Sequence, residues 1–361
     1  MIHGWCPTAW RPMAAGDGLL VRVRPRLGRL TREQMLGVCD AALARGSGLI
    51  DMTNRANLQI RGVAESNWEP LVAALVALGL VDPDPELEAR RAILVAPQWA
   101  VGDDTHRIAS ELEHRLARLP DLPGKVGFAV DAGEAPVLHR DPADFRVERG
   151  ASGGLILRAD GRGTGAALAP GSEVDALIAL AEWFVASGGR DAGRMARHHA
   201  PLPYWAAGAE HPGPPMAQPI TRRHPVGAAQ GLPFGRIDAE TLRKSDAEAM
   251  RTTPWRIVIF EGAAHANATG VRLDADACVG APACPQASVE TRALATRLTP
   301  LIDGRLHVSG CAKGCARAAP ADVVLTGRDG RYDLAFAARA GSVPTIPGLD
   351  AAQLLTYFGT A

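Results

Sequence analysis

Lysine is nearly missing from this chain of 361 residues: Lys125, Lys244 and Lys313 stand against 36 arginines. Where arginine is so favoured, a lysine marks a place where a compact ammonium is wanted. Lys244, on a polar helix face, needs no such reason. Net charge is also missing, since 39 basic residues balance 39 acidic ones. Bulk nucleic-acid binding is therefore not expected. No apolar run reaches the roughly 18 residues that cross a bilayer, and residues 1–15 lack a signal peptide's basic and apolar regions. The expectation is a cytoplasmic protein with no membrane partner. No Gly-x-Gly-x-x-Gly fingerprint follows a strand, so a nicotinamide cofactor has no evident cradle here. Six cysteines in a chain of this length do not make a disulfide framework. What remains is an ordinary globular composition, 47% hydrophobic and 22% charged, long enough for two or three domains.

Four of the six cysteines are grouped. Cys278-Val-Gly-Ala-Pro-Ala-Cys284 and Ser309-Gly-Cys311-Ala-Lys-Gly-Cys315 enclose five and three residues, with 26 between the pairs. Four thiolates closing on one centre bind an iron–sulfur cluster or a structural zinc. Zinc knuckles favour two to four residues within a pair, so the wider first spacing points to a cluster. Structural metal and unligated thiols remain the alternatives. Glycine and alanine in the gaps let backbone N–H groups approach sulfide, and Lys313 and Arg317 would offset the cluster's negative charge. Cys39 falls on an apolar helix face and reads as core; Cys6 reads as a free thiol.

The rest of the chain alternates strands and helices. Leu19 to Arg24 reads as a half-buried strand. Thr31 with Gln34 forms a capping box opening a helix to about Gly46. A strand over 48–52, a second through Arg61 and a helix from Ser66 to about Gly79 complete a β-α-β-β-α ferredoxin-like half, residues 1–80. After Asp82-Pro-Asp-Pro85, residues 86–198 read as an α+β domain. Residues 199–233, rich in Pro, Gly and Ala, read as a linker. Gly28-Arg-Leu-Thr31 before a helix is then echoed by Gly235-Arg-Ile-Asp238, a helix to about Arg251 and a strand over 255–260. The echo predicts a second, shorter half-domain over 234–265. The cysteine pairs lie in a last domain, 266–361, with a hairpin turning at Asp329-Gly330 and a final helix from Asp350.

Arg22, Arg24, Arg55, Arg61, Arg91 and Lys125 lie on or beside predicted strands. Arg55, Asn57, Gln59 and Arg61 alternate, which would set them on one face of an extended segment. Guanidiniums interleaved with amides suit a planar ligand rimmed by carboxylates.

These residues resemble those of the sirohaem-dependent sulfite and nitrite reductase superfamily, from Cys6 to about Asp333. The likeness is carried by Arg11-Pro-Met, Gly16-Asp-Gly-Leu-Leu-Val-Arg-Val-Arg24, Asp51-Met-Thr-Asn-Arg-Ala-Asn-Leu-Gln-Ile-Arg-Gly62, Leu122-Pro-Gly-Lys-Val-Gly-Phe-Ala-Val130 and the cysteine pairs. The chain looks most like the precorrin-3B synthase branch. The superfamily's Leu-Pro-x-Lys-x-Lys keeps Lys125 but has Gly127 at its second lysine, and its Cys-Pro-Asn-Gly-Cys becomes Cys311-Ala-Lys-Gly-Cys315. Both departures are similar to that branch.

The resemblance implies an α+β fold. Two ferredoxin-like half-domains would form a pseudo-symmetric repeat, with nitrite/sulfite-reductase-type α+β domains, the last carrying an iron–sulfur cluster on four cysteines. It implies a 4Fe-4S cluster on Cys278, Cys284, Cys311 and Cys315, together with sirohaem or a mononuclear non-haem iron. Thr53, Arg55 and Gln59 would contact the tetrapyrrole, with Arg24, Asn57, Arg61 and Lys313 around it. Arg24 and Arg91 would bind anionic groups, and Lys125 would stabilise charge or supply protons. The implied reaction is oxygen-dependent hydroxylation of precorrin-3A with closure of a ring lactone. NADH would supply electrons through a separate donor protein. The rivals are a small sulfite or nitrite reductase and a non-enzymatic iron–sulfur carrier or tetrapyrrole holder.

Overall fold

A computed structural model describes residues 7–218, 224–263 and 273–359. Cys6 lies outside them. Four sheets organise the described chain.

The first is antiparallel and runs Met13–Ala15, Gly18–Val23, Leu58–Val63, Leu49–Met52, Arg236–Asp238. The second, also antiparallel, runs Ala228–Gly231, Ile257–Glu261, Ala249–Thr252, Arg29–Thr31. Each half-domain therefore lends its partner a strand. Arg29–Thr31 pairs with Ala249–Arg251, and Arg236–Asp238 pairs with Leu49–Asp51. One apolar core results, in which Leu30, Met35, Ile50 and Ile60 pack with Ile237, Met250 and Val258.

The pseudo-symmetry extends to the backbone. Left-handed residues match in pairs: Leu27 with Phe234, Gly28 with Gly235, Ala56 with Arg256, and Gly62 with Gly262. In the first and third of these pairs both residues bear side chains, so the chain accepts the same local steric cost in each half. The expected capping box is present: Gln34 N–H donates to Thr31 Oγ1 and Gln34 Oε1 accepts from Thr31 N–H.

Two expectations about local structure need correcting. The helix expected to reach Arg251 spans only Ala239–Arg243. Ala249–Thr252 is extended instead, because it must pair on both sides. The stretch expected as a linker contains the strand Ala228–Gly231. Its earlier part is bridged to the middle domain at Gly150–Pro212 and Gly165–Glu210.

The middle sheet runs Ala166–Ala167, Leu155–Ala159, Phe145–Arg149, Phe128–Asp131, Ile93–Val95, its last three strands parallel. Helices Asp104–His114 and Glu173–Ala186 cover one face, over Phe128 and Phe145, with Phe184 of the second helix packed edge-on against Phe145. In the C-terminal sheet, Ala275–Ala277, Leu306–Ser309 and Ala321–Arg328 are parallel; Arg331–Ala338 and Ile346–Leu349 continue it antiparallel. The expected hairpin turn is found, with Asp329 and Gly330 both left-handed. Among the described residues no helix is long and apolar enough to cross a membrane.

Candidate active site and cysteine centre

Side chains alternate across the first sheet, so one face packs the core and the other is polar. Arg22, Gln59, Asp51 and Arg236 stand in register on the polar face, one on each of four neighbouring strands. At one end of this row is a narrow cleft, lined by Arg22, Arg24, Arg55 and Asn57 together with Gly127 and Phe128 of the middle domain. Among the described residues no acid lines it. A water-sized sphere has about 20 Å³ of freedom there. A wider cavity of about 340 Å³ shares the walls Ala92, Gly124 and Phe128. Arg22 and Arg55 set guanidiniums along this rim, whereas the Arg24 guanidinium is buried and donates through Nη1 to the Glu88 and Ala89 carbonyls.

The turn that supplies Arg55 is built locally. Thr53 Oγ1 accepts from the N–H groups of Arg55 and Asn57, and Ala56 takes φ 56°. The second half-domain repeats the device, with Trp255 N–H donating to Thr253 Oγ1. Thr53 is thus committed to holding its own turn. Trp255 replaces Arg55 in the repeat and donates to Asp141 at 3.0 Å. Arg55 Nη2 donates to the backbone carbonyl of Lys125 at 2.6 Å, joining the first half-domain to the middle domain. A Cβ at Gly127 would stand 2.8 Å from the Ala92 carbonyl and 3.5 Å from Arg55 Nη1. The close approach is to the Ala92 carbonyl, so the backbone there leaves no room for a side chain at position 127 without a shift.

The structure separates the expected site residues. Arg24, Arg55 and Asn57 line the cleft, and Lys125, exposed, sits between the lining residues Gly124 and Gly127. Gln59 lies one strand over from Arg22 on the same face. The expected shared face of Arg55, Asn57, Gln59 and Arg61 does not form. The strand begins only at Leu58, and Arg55 belongs to the turn before it. Arg61 is buried and taken up by Asp17 at 2.8 Å and Asp51 at 3.4 Å.

Arg91 does not reach the cleft. It is buried against Glu88 at 2.6 Å and donates to the Arg24 and Leu80 carbonyls. It cements the first half-domain to the middle domain, so the anion-binding role expected of it is withdrawn. Arg22, which is not among the expected site residues, lines the cleft instead, and its alternation with Arg24 was the available signal. Lys313 is exposed in the second cysteine loop, where its charge acts on Cys315.

The two cysteine loops leave the same end of adjacent parallel strands. Ala277 pairs with Val308, so Cys278 and Cys311 both follow strand ends. Gly310 N–H donates to Cys278 Sγ at 3.2 Å, an amide-to-sulfur bond of the kind that tunes cluster thiolates. A Cβ at Gly310 would stand 2.5 Å from Ala287 Cβ and 3.4 Å from the Gly280 Cα, so glycine there lets the loops meet. Burial pushes the Cys315 thiol up; Lys313 pulls it down, while Cys278, Cys311 and Cys284 press it further up. All four thiols therefore share one electrostatic neighbourhood. Among the described residues no three His, Cys, Asp or Glu side chains are gathered as a single metal ion requires. A four-iron cube holds its ligands wider apart. The donor set, the amide donor and the glycine contact fit such a cluster.

The first cysteine loop also touches the first half-domain. Gly16 N–H donates to the Ala283 carbonyl at 2.8 Å, and Arg292 donates to Asp51 at 2.9 Å. Asp51 thus gathers Arg61, Arg236 and Arg292 from three segments. Burial pushes its carboxyl up, but Arg292, Arg236 and Arg61 outweigh this and hold it below the usual range.

Comparison with known proteins places this geometry. The nitrite/sulfite reductase ferredoxin-like half domain matches residues 11–78. The chain is 30% identical to precorrin-3B synthase of Sinorhizobium sp over 398 aligned positions, covering 96% of this chain and 85% of that one. The chain belongs to the precorrin-3B synthase family. Ferredoxin–nitrite reductase of Synechococcus elongatus is 25% identical over 153 positions, covering 39% of this chain and 30% of that one. NirA of Mycobacterium tuberculosis superposes with a TM-score of 0.55 at 18% identity, covering 90% of this chain and 76% of that one. That likeness establishes a shared fold with ferredoxin-like half domains. The precorrin-3B synthase kinship, by contrast, covers nearly the whole chain.

Proposed function

We propose that this chain is a precorrin-3B synthase: a monooxygenase that hydroxylates precorrin-3A with dioxygen and closes a ring lactone, in aerobic cobalamin biosynthesis. The observation that carries the reading is kinship to precorrin-3B synthase across nearly the whole chain. One oxygen atom enters the ring and the other leaves as water, consuming two electrons and two protons from outside. Cys278, Cys284, Cys311 and Cys315 would hold a 4Fe-4S cluster, which supplies single electrons when bound, and a sirohaem or mononuclear non-haem iron would supply dioxygen activation.

The chain's own residues bind and orient. Arg22 and Arg55 pair with peripheral carboxylates of the tetrapyrrole, and the bond to the Lys125 carbonyl fixes the Arg55 guanidinium for bidentate contact. Asn57 adds an amide at the same rim. Lys125 holds a proton on Nζ beside the cleft, where negative charge develops on substrate oxygen. Electrons would come from NADH through a separate donor protein, since no dinucleotide fingerprint occurs in the chain.

The second reading is a sulfite or nitrite reductase, favoured by the half-domain match and the partial likeness to ferredoxin–nitrite reductase. Gly127 weighs against it, because a second ammonium beside the anion is missing and a Cβ would meet the Ala92 carbonyl. Iron-loaded protein with a chemical reductant separates the two. Precorrin-3A consumption that stops without dioxygen supports the synthase; reduction of nitrite or sulfite with no precorrin turnover supports the reductase.

A further inference from the structure

We infer that Asp276 is a positioning residue that holds the two cysteine loops in register and fixes the C-terminal sheet to the second half-domain. The inference rests on reading the four cysteines as ligands of one cluster. Asp276 lies two residues before Cys278 in the strand Ala275–Ala277 and is 7% exposed. Its carboxylate gathers three guanidiniums. Arg305, just before the strand that leads to Cys311, pairs with it at 2.7 Å. Arg317, two residues after Cys315, approaches to 3.5 Å. Arg256 of the second half-domain pairs at 3.1 Å, and also donates to the Ala275 and Leu273 carbonyls at 2.6 and 2.8 Å. One carboxylate therefore touches the approach to both cysteine loops, the exit from the second, and a neighbouring domain.

The layer lies directly beneath the second loop. His307 is the ladder partner of Asp276 on the adjacent parallel strand and is fully buried. Its Cε1 is 3.8 Å from where a Cβ on Gly314 would stand, within the loop between Cys311 and Cys315. Asp274 is the other acid acting on Arg256, so three guanidiniums face two carboxylates. Without the Asp276 charge, three cations crowd together below the loops and the contacts that fix the loop spacing are lost. Buried charges left unpaired in this way are costly. The same charges set the field at the cluster, whose reduction potential follows local net charge.

The full chain is loaded with iron and sulfide without oxygen. Iron release to a chelator and the reduction potential, followed by paramagnetic resonance, are compared for wild type, Asp276→Asn and Arg317→Gln. Asp276→Asn is expected to release iron roughly tenfold faster, the scale of losing a charged hydrogen bond. Its potential is expected to move positive, and that of Arg317→Gln to move negative. A merely structural defect would not give opposite signs. The Arg317 side chain is 26% exposed, so this variant decides the question alone where Asp276→Asn does not fold. Cluster-loaded variants with wild-type release and potential overturn the role of Asp276 while leaving the ligand reading intact. A wild-type chain that takes up no cluster overturns both.

Discussion

Arg292, at the start of the helix Arg292–Leu298 in the cysteine domain, donates at 2.9 Å to Asp51 on the strand Leu49–Met52 of the first half-domain. This bond joins the cysteine domain to the sheet that carries the arginine cleft. Asp51 stands two strands from Arg22 along one polar row, about 10 Å at ordinary strand spacing. A row of polar and charged side chains across one sheet therefore connects the cleft to the cysteine domain.

Asp51→Ala leaves Arg61, Arg236 and Arg292 around a vanished carboxylate, so a loss of about 3–5 kcal/mol in unfolding free energy is expected. Denaturant titration measures it. The pH dependence has a definite sign. The folded carboxyl is held below its unfolded value, so its contribution is complete above about pH 4 and is lost as pH falls through the folded pKa. Asp51→Asn should lack that acid-limb slope; an identical acid limb in the variant would show that Asp51 does not carry it.

Asp131 works in the opposite direction. Burial pushes its carboxyl up to about 6, against the pull of the Leu138 and Val137 N–H groups, with Glu148 adding to the rise. The folded state thus holds its proton more tightly, and stability falls as pH rises from about 4 to about 6, by at most about 3 kcal/mol. Asp131→Asn should be more stable than wild type at pH 8, with the difference disappearing near pH 4. Parallel stability curves for the two proteins would contradict this.

Arg55→Ala should weaken binding of a polycarboxylate tetrapyrrole by at least about tenfold, the scale of one charge-assisted bidentate contact. The spectrum of the cysteine centre should not change, because the Arg55 guanidinium is anchored on the Lys125 carbonyl of the middle domain. Fluorescence or absorbance titration reads the affinity. Equal affinity in the variant would remove Arg55 from the binding face.

Gly310→Ala tests the meeting of the two cysteine loops. The added Cβ would fall 2.5 Å from Ala287 Cβ, so one loop must move and the Gly310 N–H to Cys278 Sγ bond is lost. The variant should fold, since the clash is confined to the loops, yet hold less iron after anaerobic reconstitution. Wild-type iron content would show that the approach is not needed.

The parts that were legible in the sequence are the local ones. The capping box at Thr31 and Gln34 and the hairpin turn at Asp329-Gly330 each depend on neighbours within a few residues. The exchange of Arg29–Thr31 and Arg236–Asp238 between half-domains was not legible, because each strand's partner lies far along the chain and no periodicity encodes it. The same limit governed the arginines. Whether a guanidinium serves a ligand depends on which carboxylates reach it first. Glu88 claims Arg91, and Asp17 with Asp51 claims Arg61. Sequence alternation shows that such residues share a strand; it does not show which acids the tertiary fold brings to them.

The most direct test of the proposed reaction supplies precorrin-3A, a reductant and isotopically labelled dioxygen to the iron-loaded chain and weighs the product. A single labelled oxygen atom in a lactone-bearing product is expected, with no product when dioxygen is withheld. Unaltered precorrin-3A, or a product whose new oxygen comes from water, would contradict the account.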